Sequence, residues 1–302
     1  MKLSVFVVTY NQEKYIRQCL DSILMQEVDF DYEVVIGEDH GTDGTRAICE
    51  EYAAKYPQVR LLPLTENLGV AGNWRRVLLE CNGEYVAMCE GDDYWTDSKK
   101  LQMQVDFLNK NLAYSSCAHA TDVLRDGIVM ARIPSFDIGD TLSFSEMIGS
   151  RKIHTASICF RRNLISEFFS LSEGIVASCD RLLFAILGEK GPIGFINRVM
   201  DVYRKHSDAV SCSDIVNVDI LKNDIYLYKK LRRYYCKRHS KELTKEIFHR
   251  EGILALEYRH QHKYFAFFLE LCKMISNIRT FVDFKSWIKD YLFCKNEVAK
   301  FL

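Results

Sequence analysis

Four short polar stretches in the first hundred residues carry side chains able to do chemistry: Thr9-Tyr10-Asn11, Glu38-Asp39, Asn67-Leu68-Gly69 and Glu90-Gly91-Asp92-Asp93. Five of these residues are acidic. A bare acidic rim is a poor host for phosphate. Carboxylates suit a divalent cation, which then bridges to phosphate oxygens and acts as a Lewis acid. Taken singly, each stretch has a plain reading: Asp39 as a turn residue, Asn67-Leu68-Gly69 as a turn, Glu90 to Asp93 as the approach to a helix. Their joint occurrence gives them meaning. Neither Gly-x-Gly-x-x-Gly nor Gly-x-x-x-x-Gly-Lys-Ser/Thr occurs, so dinucleotide and P-loop sites lose their main support.

The intervening segments must position these stretches. Leu3 to Val8, Tyr32 to Ile36, Val59 to Leu64 and Glu84 to Cys89 read as strands. Residues 12–26, a segment ending before Pro57, and residues 70–81 read as helices; Ile16, Cys19, Leu20, Ile23 and Leu24 share one face of the first. Strands joined by helical crossovers predict a mostly parallel α/β sheet covered on both faces, with ligands beyond the carboxyl ends of the strands. The four polar stretches fall there.

In that arrangement residues 1–210 resemble a family 2 glycosyltransferase of the GT-A fold, of the bacterial cell-surface polysaccharide type. Val7-Val8-Thr9-Tyr10-Asn11, then Tyr15-Ile16, Leu20, Ser22-Ile23 and Gln26, is similar to the family's first strand and helix. Glu38-Asp39-His40-Gly41-Thr42-Asp43-Gly44-Thr45 resembles its acidic loop, and Asn67-Leu68-Gly69 with Asn73 its next signature. Glu90-Gly91-Asp92-Asp93-Tyr94-Trp95 stands where the family carries an Asp-x-Asp metal motif, with Glu90 keeping the first charge on a longer arm.

The resemblance implies roles. Asp92 would hold Mn²⁺ or Mg²⁺ against the diphosphate of a nucleotide-sugar donor, commonly UDP-linked. Thr9, Tyr10 and Asp39 would contact the base, with Asn67 and Glu90 completing the donor side. Asp180, in Ser178-Cys179-Asp180-Arg181 ahead of an apolar helix to Leu187, fits the position of the family's general base, which implies inversion at the anomeric carbon. Taken alone, Asp180 reads as a helix-end charge. His206, in Val202-Tyr203-Arg204-Lys205-His206, reads either as a surface residue or as a late ligand to the metal or diphosphate. His154, opening a strand that runs to Phe160, lines an acceptor pocket or satisfies a buried backbone group; Trp95 offers a sugar-stacking face or sits in the core. Residues 121–160, where acceptor specificity is expected, carry no motif. A saccharide or lipid-linked acceptor is implied. The alternatives are a non-catalytic nucleotide-sugar-binding subunit and a sugar-phosphate nucleotidyltransferase. The latter expects a glycine-rich loop that Thr9-Tyr10-Asn11-Gln12-Glu13 lacks.

The 302 residues carry 40 Lys+Arg against 41 Asp+Glu, a balance that argues against nucleic acid as partner. The balance hides an asymmetry. Residues 213–302 hold 18 Lys+Arg and 11 Asp+Glu, a net of +7, leaving −8 for the rest. A boundary near Ser211 follows, with an all-helical region over 211–302 built from helices at 218–236, 241–258, 261–276 and 284–299. Lys229, Lys230, Arg232, Arg233, Lys237 and Arg238, interleaved with Tyr226, Tyr228, Tyr234 and Tyr235, form either a solvated helix face or a peripheral contact with an anionic membrane. The 11 cysteines include no Cys-x-x-Cys pair and read as reduced thiols. No apolar run is long enough to span a bilayer and no secretory pattern opens the chain, so a cytoplasmic protein is expected, either free or peripheral on the inner membrane face.

Overall fold

The structure is a computed structural model that describes residues 1–63, 66–135, 139–149, 152–206 and 217–276. The chain forms two units, Met1–His206 and Ser207–Leu302. The first contains strands β1 (Leu3–Thr9), β2 (Tyr32–Glu38), β3 (Val59–Leu61), β4 (Tyr85–Met88), β5 (Tyr94–Trp95), β6 (Ser116–Arg125), β7 (Ile128–Ile133), β8 (Thr141–Leu142), β9 (Cys159–Arg161) and β10 (Ile193–Lys205). They make one sheet in the order β3-β2-β1-β4-β9-β6-β10-β5, with β7 on β6 and β8 on β10. Pairings β3-β2, β2-β1, β1-β4 and β6-β10 are parallel; β9 runs antiparallel to both β4 and β6.

Helices α1 (Ile16–Leu24), α2 (Thr45–Lys55), α3 (Gly69–Glu80), α4 (Lys100–Lys110), α5 (Phe144–Ile148), α6 (Ser166–Leu171) and α7 (Cys179–Lys190) belong to this unit. Strand β1 is apolar on both faces because both are covered: Leu3, Val5, Phe6 and Val7 have no exposure. On one side Ile16, Cys19, Leu20 and Ile23 of α1 join the core with Val5 and Val7; on the other, Phe6 meets Trp74 of α3 at 4.9 Å between ring centroids.

Three local expectations are corrected. Helix α1 starts at Ile16, not 12, because Gln12 O takes the N–H groups of both Tyr15 and Ile16 and spends residues 12–15 on a turn. Strand β3 stops at Leu61 rather than Leu64. The strand expected from His154 to Phe160 is instead a 3₁₀ turn, Thr155–Ser157, followed by the short β9. There His154 Nδ1 accepts from Ala156 N at 3.3 Å, and Ser157 Oγ donates to His154 O at 2.7 Å, which closes the turn.

The second unit is helical: α8 (Val218–Tyr234), α9 (Ser240–His260) and α10 (Tyr264–Ser276). The expected helix over 284–299 lies outside the described residues. Asn217 caps α8, accepting from Asp219 N and Ile220 N. Leu221, Ile225 and Leu254 form its apolar centre. The buried Arg250 guanidinium lies 4.2 Å from the Tyr228 ring and pairs with Glu246 and Asp224 at 2.5 and 3.4 Å. The tyrosine-rich basic segment is therefore only partly a surface. Tyr228 and Tyr235 are core residues, while Lys229 binds the buried Glu251 at 2.7 Å and Arg232 donates to Thr244. No helix among the described residues is long and apolar enough to cross a membrane.

Candidate active site

Parallel pairing continues past the strand ends and ties the polar stretches together. Asp39 N donates to Thr9 O, and Gly91 N donates to Val8 O, both at 3.0 Å. The loops after β1 and β2 are stitched reciprocally. Asn11 Oδ1 accepts from Thr42 N at 2.7 Å, Glu13 Oε2 from Gly44 N at 3.0 Å, Asp43 Oδ2 from Glu13 N at 3.0 Å, and Thr45 Oγ1 from Gln12 N at 2.8 Å. Asn11 adopts a left-handed φ of 51°, a conformation that asparagine tolerates. The loop after β4 presses on the loop after β1. A Cβ on Gly91 would lie 2.5 Å from Gln12 Oε1 and 2.7 Å from Thr9 Oγ1, so any larger residue must push these side chains aside.

Asp39 and Asn67, 28 residues apart, prove to be one device. Asn67 Nδ2 donates to Asp39 O at 2.8 Å, and Leu68 N donates to Asp39 Oδ1 at 2.9 Å. Burial pushes the Asp39 carboxyl above its ordinary range, against the pull of that N–H and of Arg76. Arg76 and Asn73 of α3 grip the end of β2, donating to Glu38 O at 2.8 Å and Gly37 O at 2.7 Å. Glu38 itself is buried; Oε1 holds Gly41 N at 2.6 Å, and Oε2 has no partner among the described residues. Thr9 is also buried, its hydroxyl donated to Gln12 at 2.8 Å, whereas Tyr10 is 47% exposed and keeps an open ring at the rim.

The metal motif meets the end of β10. Nε2 of His206 is 3.1 Å from Oδ2 of Asp92, with both side chains mostly buried. Arg204 sets this meeting. Its N–H donates to Asp93 Oδ1 at 2.9 Å and its Nη1 to Asp92 O at 2.6 Å, while Nη2 reaches Gln18. The guanidinium lies between the rings of Tyr94 and Tyr15, 4.4 and 5.1 Å from their centroids, and Tyr15 also packs 4.6 Å from the His206 ring. The sequence signal for this clamp was Tyr203-Arg204, but the Arg side chain's role was not readable from it.

Beneath the motif lies a buried polar row. His154 Nε2 is 3.6 Å from Asp93 Oδ2, its Nδ1 is 3.7 Å from Asp201 Oδ2, and its ring stacks on Tyr203 at 4.3 Å. Glu90, Asp93 and His154 bring one ligand atom each within 4.8 Å of the others. Burial raises the Asp93 carboxyl well above its usual range, reinforced by Asp92 and Glu90. At 2% exposure His154 does not line an open acceptor pocket; it caps the 3₁₀ turn. Trp95 is likewise internal. It donates to Ala156 O at 3.2 Å and gives its face to the buried Lys100, 4.1 Å away, not to a sugar.

Asp180 sits in the first turn of α7, in a shallow pocket it shares with Lys152, Arg181 and Phe184. Helix α7 leads directly into β10, which is parallel to β6. The Cys179 thiol, pushed up to about 12 by burial, feels both Asp180 and Arg75 of α3.

The Asp92–His206 pair fits a small divalent cation. Their side chains, 3.1 Å apart, would offer it one carboxylate oxygen and one imidazole nitrogen, a donor set that suits Mn²⁺.

The profile of "Glycosyl transferase family 2" matches residues 4–168, more than half of the chain. The chain belongs to that family. It is 36% identical over 210 residues to "Uncharacterized protein Rv1520" of Mycobacterium tuberculosis, covering 69% of this chain and 60% of that one. It is 33% identical over 162 residues to poly(ribitol-phosphate) beta-N-acetylglucosaminyltransferase TarS of Staphylococcus aureus, covering 52% of this chain and 26% of TarS. The chain thus spans less than two thirds of either relative. Among solved structures, TarS 1–349 in complex with UDP-GlcNAc superposes with a TM-score of 0.66 at 19% identity, over 92% of this chain and 82% of that one. The mannosyltransferase PcManGT from Pyrobaculum calidifontis, in complex with GDP-Man and Mn²⁺, gives 0.57 at 17% identity, over 99% and 84%. These likenesses establish the GT-A fold. Family membership sets the nucleotidyltransferase alternative aside.

Proposed function

We propose that the chain is a metal-dependent, inverting glycosyltransferase that moves a sugar from a nucleotide-sugar, UDP-linked by preference, to a saccharide or lipid-linked acceptor in bacterial polysaccharide synthesis. The observation that carries this reading is the 3.1 Å approach of His206 to Asp92, beside the ends of the parallel strands. Asp92 and His206 would hold Mn²⁺ or Mg²⁺, which as a Lewis acid offsets charge on the departing diphosphate. Tyr10 stacks on the base, and Asp39, fixed by Asn67 and Leu68, accepts from a base N–H. Thr9 acts through the loop it anchors, and Glu90, next to Asp92, would complete the donor side. Asp180 takes the proton of the attacking hydroxyl, and a single displacement assisted by one base inverts the anomeric centre. The catalytic role is assigned to residues 1–210 and the C-terminal region begins at 211, close to the division after His206.

UDP-GlcNAc is the first donor to test, because the TarS structure holds it. Hydrolysis of a panel of nucleotide-sugars with Mn²⁺ and no acceptor should single out one donor. No turnover of any donor, with or without metal, would favour a binding subunit instead.

A further inference from the structure

Helix α10 presents an exposed apolar face, one that its packing on the other described residues of its unit does not use. Tyr264, Phe265, Phe268 and Leu269 retain 61, 77, 62 and 43% exposure. Their spacing places them on one stripe, which the exposed Cys272 continues. The other side holds the helix in place: Glu270 and Met274 are buried, and Met274 Cε lies where a Cβ on Gly252 of α9 would be 3.4 Å away.

Charge around the stripe has one sign. Residues 259–274 hold Arg259, His260, His262, Lys263 and Lys273 against a single carboxylate, Glu270, which is buried and accepts from Lys273 at 2.5 Å. Arg259, His260 and Lys263 are exposed. The surface therefore combines apolar rings with cations and shows no exposed carboxylate along 259–274. Two copies meeting through it would bring like charges together. A sheet of anionic headgroups over hydrocarbon matches both properties, since rings settle at the headgroup boundary while cations meet lipid phosphates.

We propose that α10 docks on an anionic membrane surface, with Phe265 and Phe268 entering the interface and Arg259 and Lys263 against lipid phosphates. The contact expected from the sequence at Lys229 to Arg238 is a separate surface: Lys229, Arg232, Tyr228 and Tyr235 are engaged within the unit, while Arg233, Lys237 and Arg238 are exposed. The docking rests on the transferase reading only for the idea of a lipid-linked acceptor.

The test is co-sedimentation of the whole chain with vesicles of phosphatidylcholine alone or mixed with phosphatidylglycerol, at low salt. The chain should pellet with the mixed vesicles only and be released by salt. The double variant Phe265→Ser/Phe268→Ser, at exposed positions, should lose about ten-fold in partitioning, and Arg259→Gln/Lys263→Gln should weaken it. Failure of the unsubstituted chain to pellet, or equal pelleting of the Phe variant, would overturn the proposal. So would a dimer in light scattering that the Phe variant abolishes. Donor hydrolysis by the same preparations separates the two readings: the Phe variant should retain it, and its absence in every preparation would count against the transferase reading alone.

Discussion

His206 Nε2 stands 3.1 Å from Asp92 Oδ2 across 114 residues of sequence. The pairing is built by neighbours on both strands: Asp93 accepts the Arg204 N–H, and the Arg204 guanidinium returns to Asp92 O. Backbone and side chain of one arginine thus fix two adjacent aspartates, and His206 follows directly on the end of the strand that carries it.

Arg204→Lys keeps the charge but removes the plane that fits between Tyr15 and Tyr94. Mn²⁺ affinity, read from the electron paramagnetic resonance of the free ion, should fall about ten-fold, as the loss of one or two cation–π contacts predicts. An unchanged titration would show that the clamp does not set the pair.

Asp180→Asn keeps shape and removes the proton acceptor. Transfer should slow by about 10²–10⁴ while nucleotide affinity stays the same. Normal transfer by this variant would remove Asp180 as the base, and a product of retained configuration would reject the single displacement.

Gly91→Ala tests the contact between the loops after β1 and β4. The new methyl would stand 2.8 Å from Thr9 Cβ as well as on the Thr9 and Gln12 oxygens. A loss of about 1–3 kcal/mol in stability is expected from overpacking, with weaker nucleotide binding because Asp92 and Tyr10 flank the displaced atoms. Wild-type melting and affinity would show that the loops yield freely.

The strand ends were legible because a strand covered on both faces is an apolar run that stops at a polar residue: Val5 to Val8 before Thr9, Val34 to Ile36 before Glu38. The family's motif residues lie at those stops, so fold and donor edge could be read together. The far half of the sheet was not legible. Strand β9 is three residues long, and β10 breaks its pairing with β6 twice, between Ile196 and Asp201, with Asn197 and Arg198 exposed. Neither gives a clean period. Asp201, 3.7 Å from His154 in the buried row, and His119, 3.7 Å from Asp201, were missed for a different reason. Polar residues inside strands look the same in sequence whether they face water or one another.

His119 gives that row a measurable consequence. It is fully buried, its Nδ1 donates to Ala120 O at 2.9 Å, and burial lowers its pKa from 6.5 to about 4. The folded chain refuses a proton that the unfolded chain accepts, so this contribution to stability is present above pH 6.5 and is lost as pH falls toward 4. The full difference is about 3 kcal/mol. Between pH 7.5 and 4.5 the wild type should lose about 2 kcal/mol more than His119→Asn in urea unfolding. Parallel losses would mean that His119 is charged in the folded protein.

The central claim is that Asp92 and His206 hold a divalent cation against a nucleoside diphosphate. Calorimetric titration of UDP into the whole chain, with and without Mn²⁺, addresses it directly. The account predicts clearly tighter binding with Mn²⁺, loss of that gain in Asp92→Asn, and a reduced gain in His206→Ala. Equal UDP affinity with and without Mn²⁺ in the unsubstituted chain would contradict it.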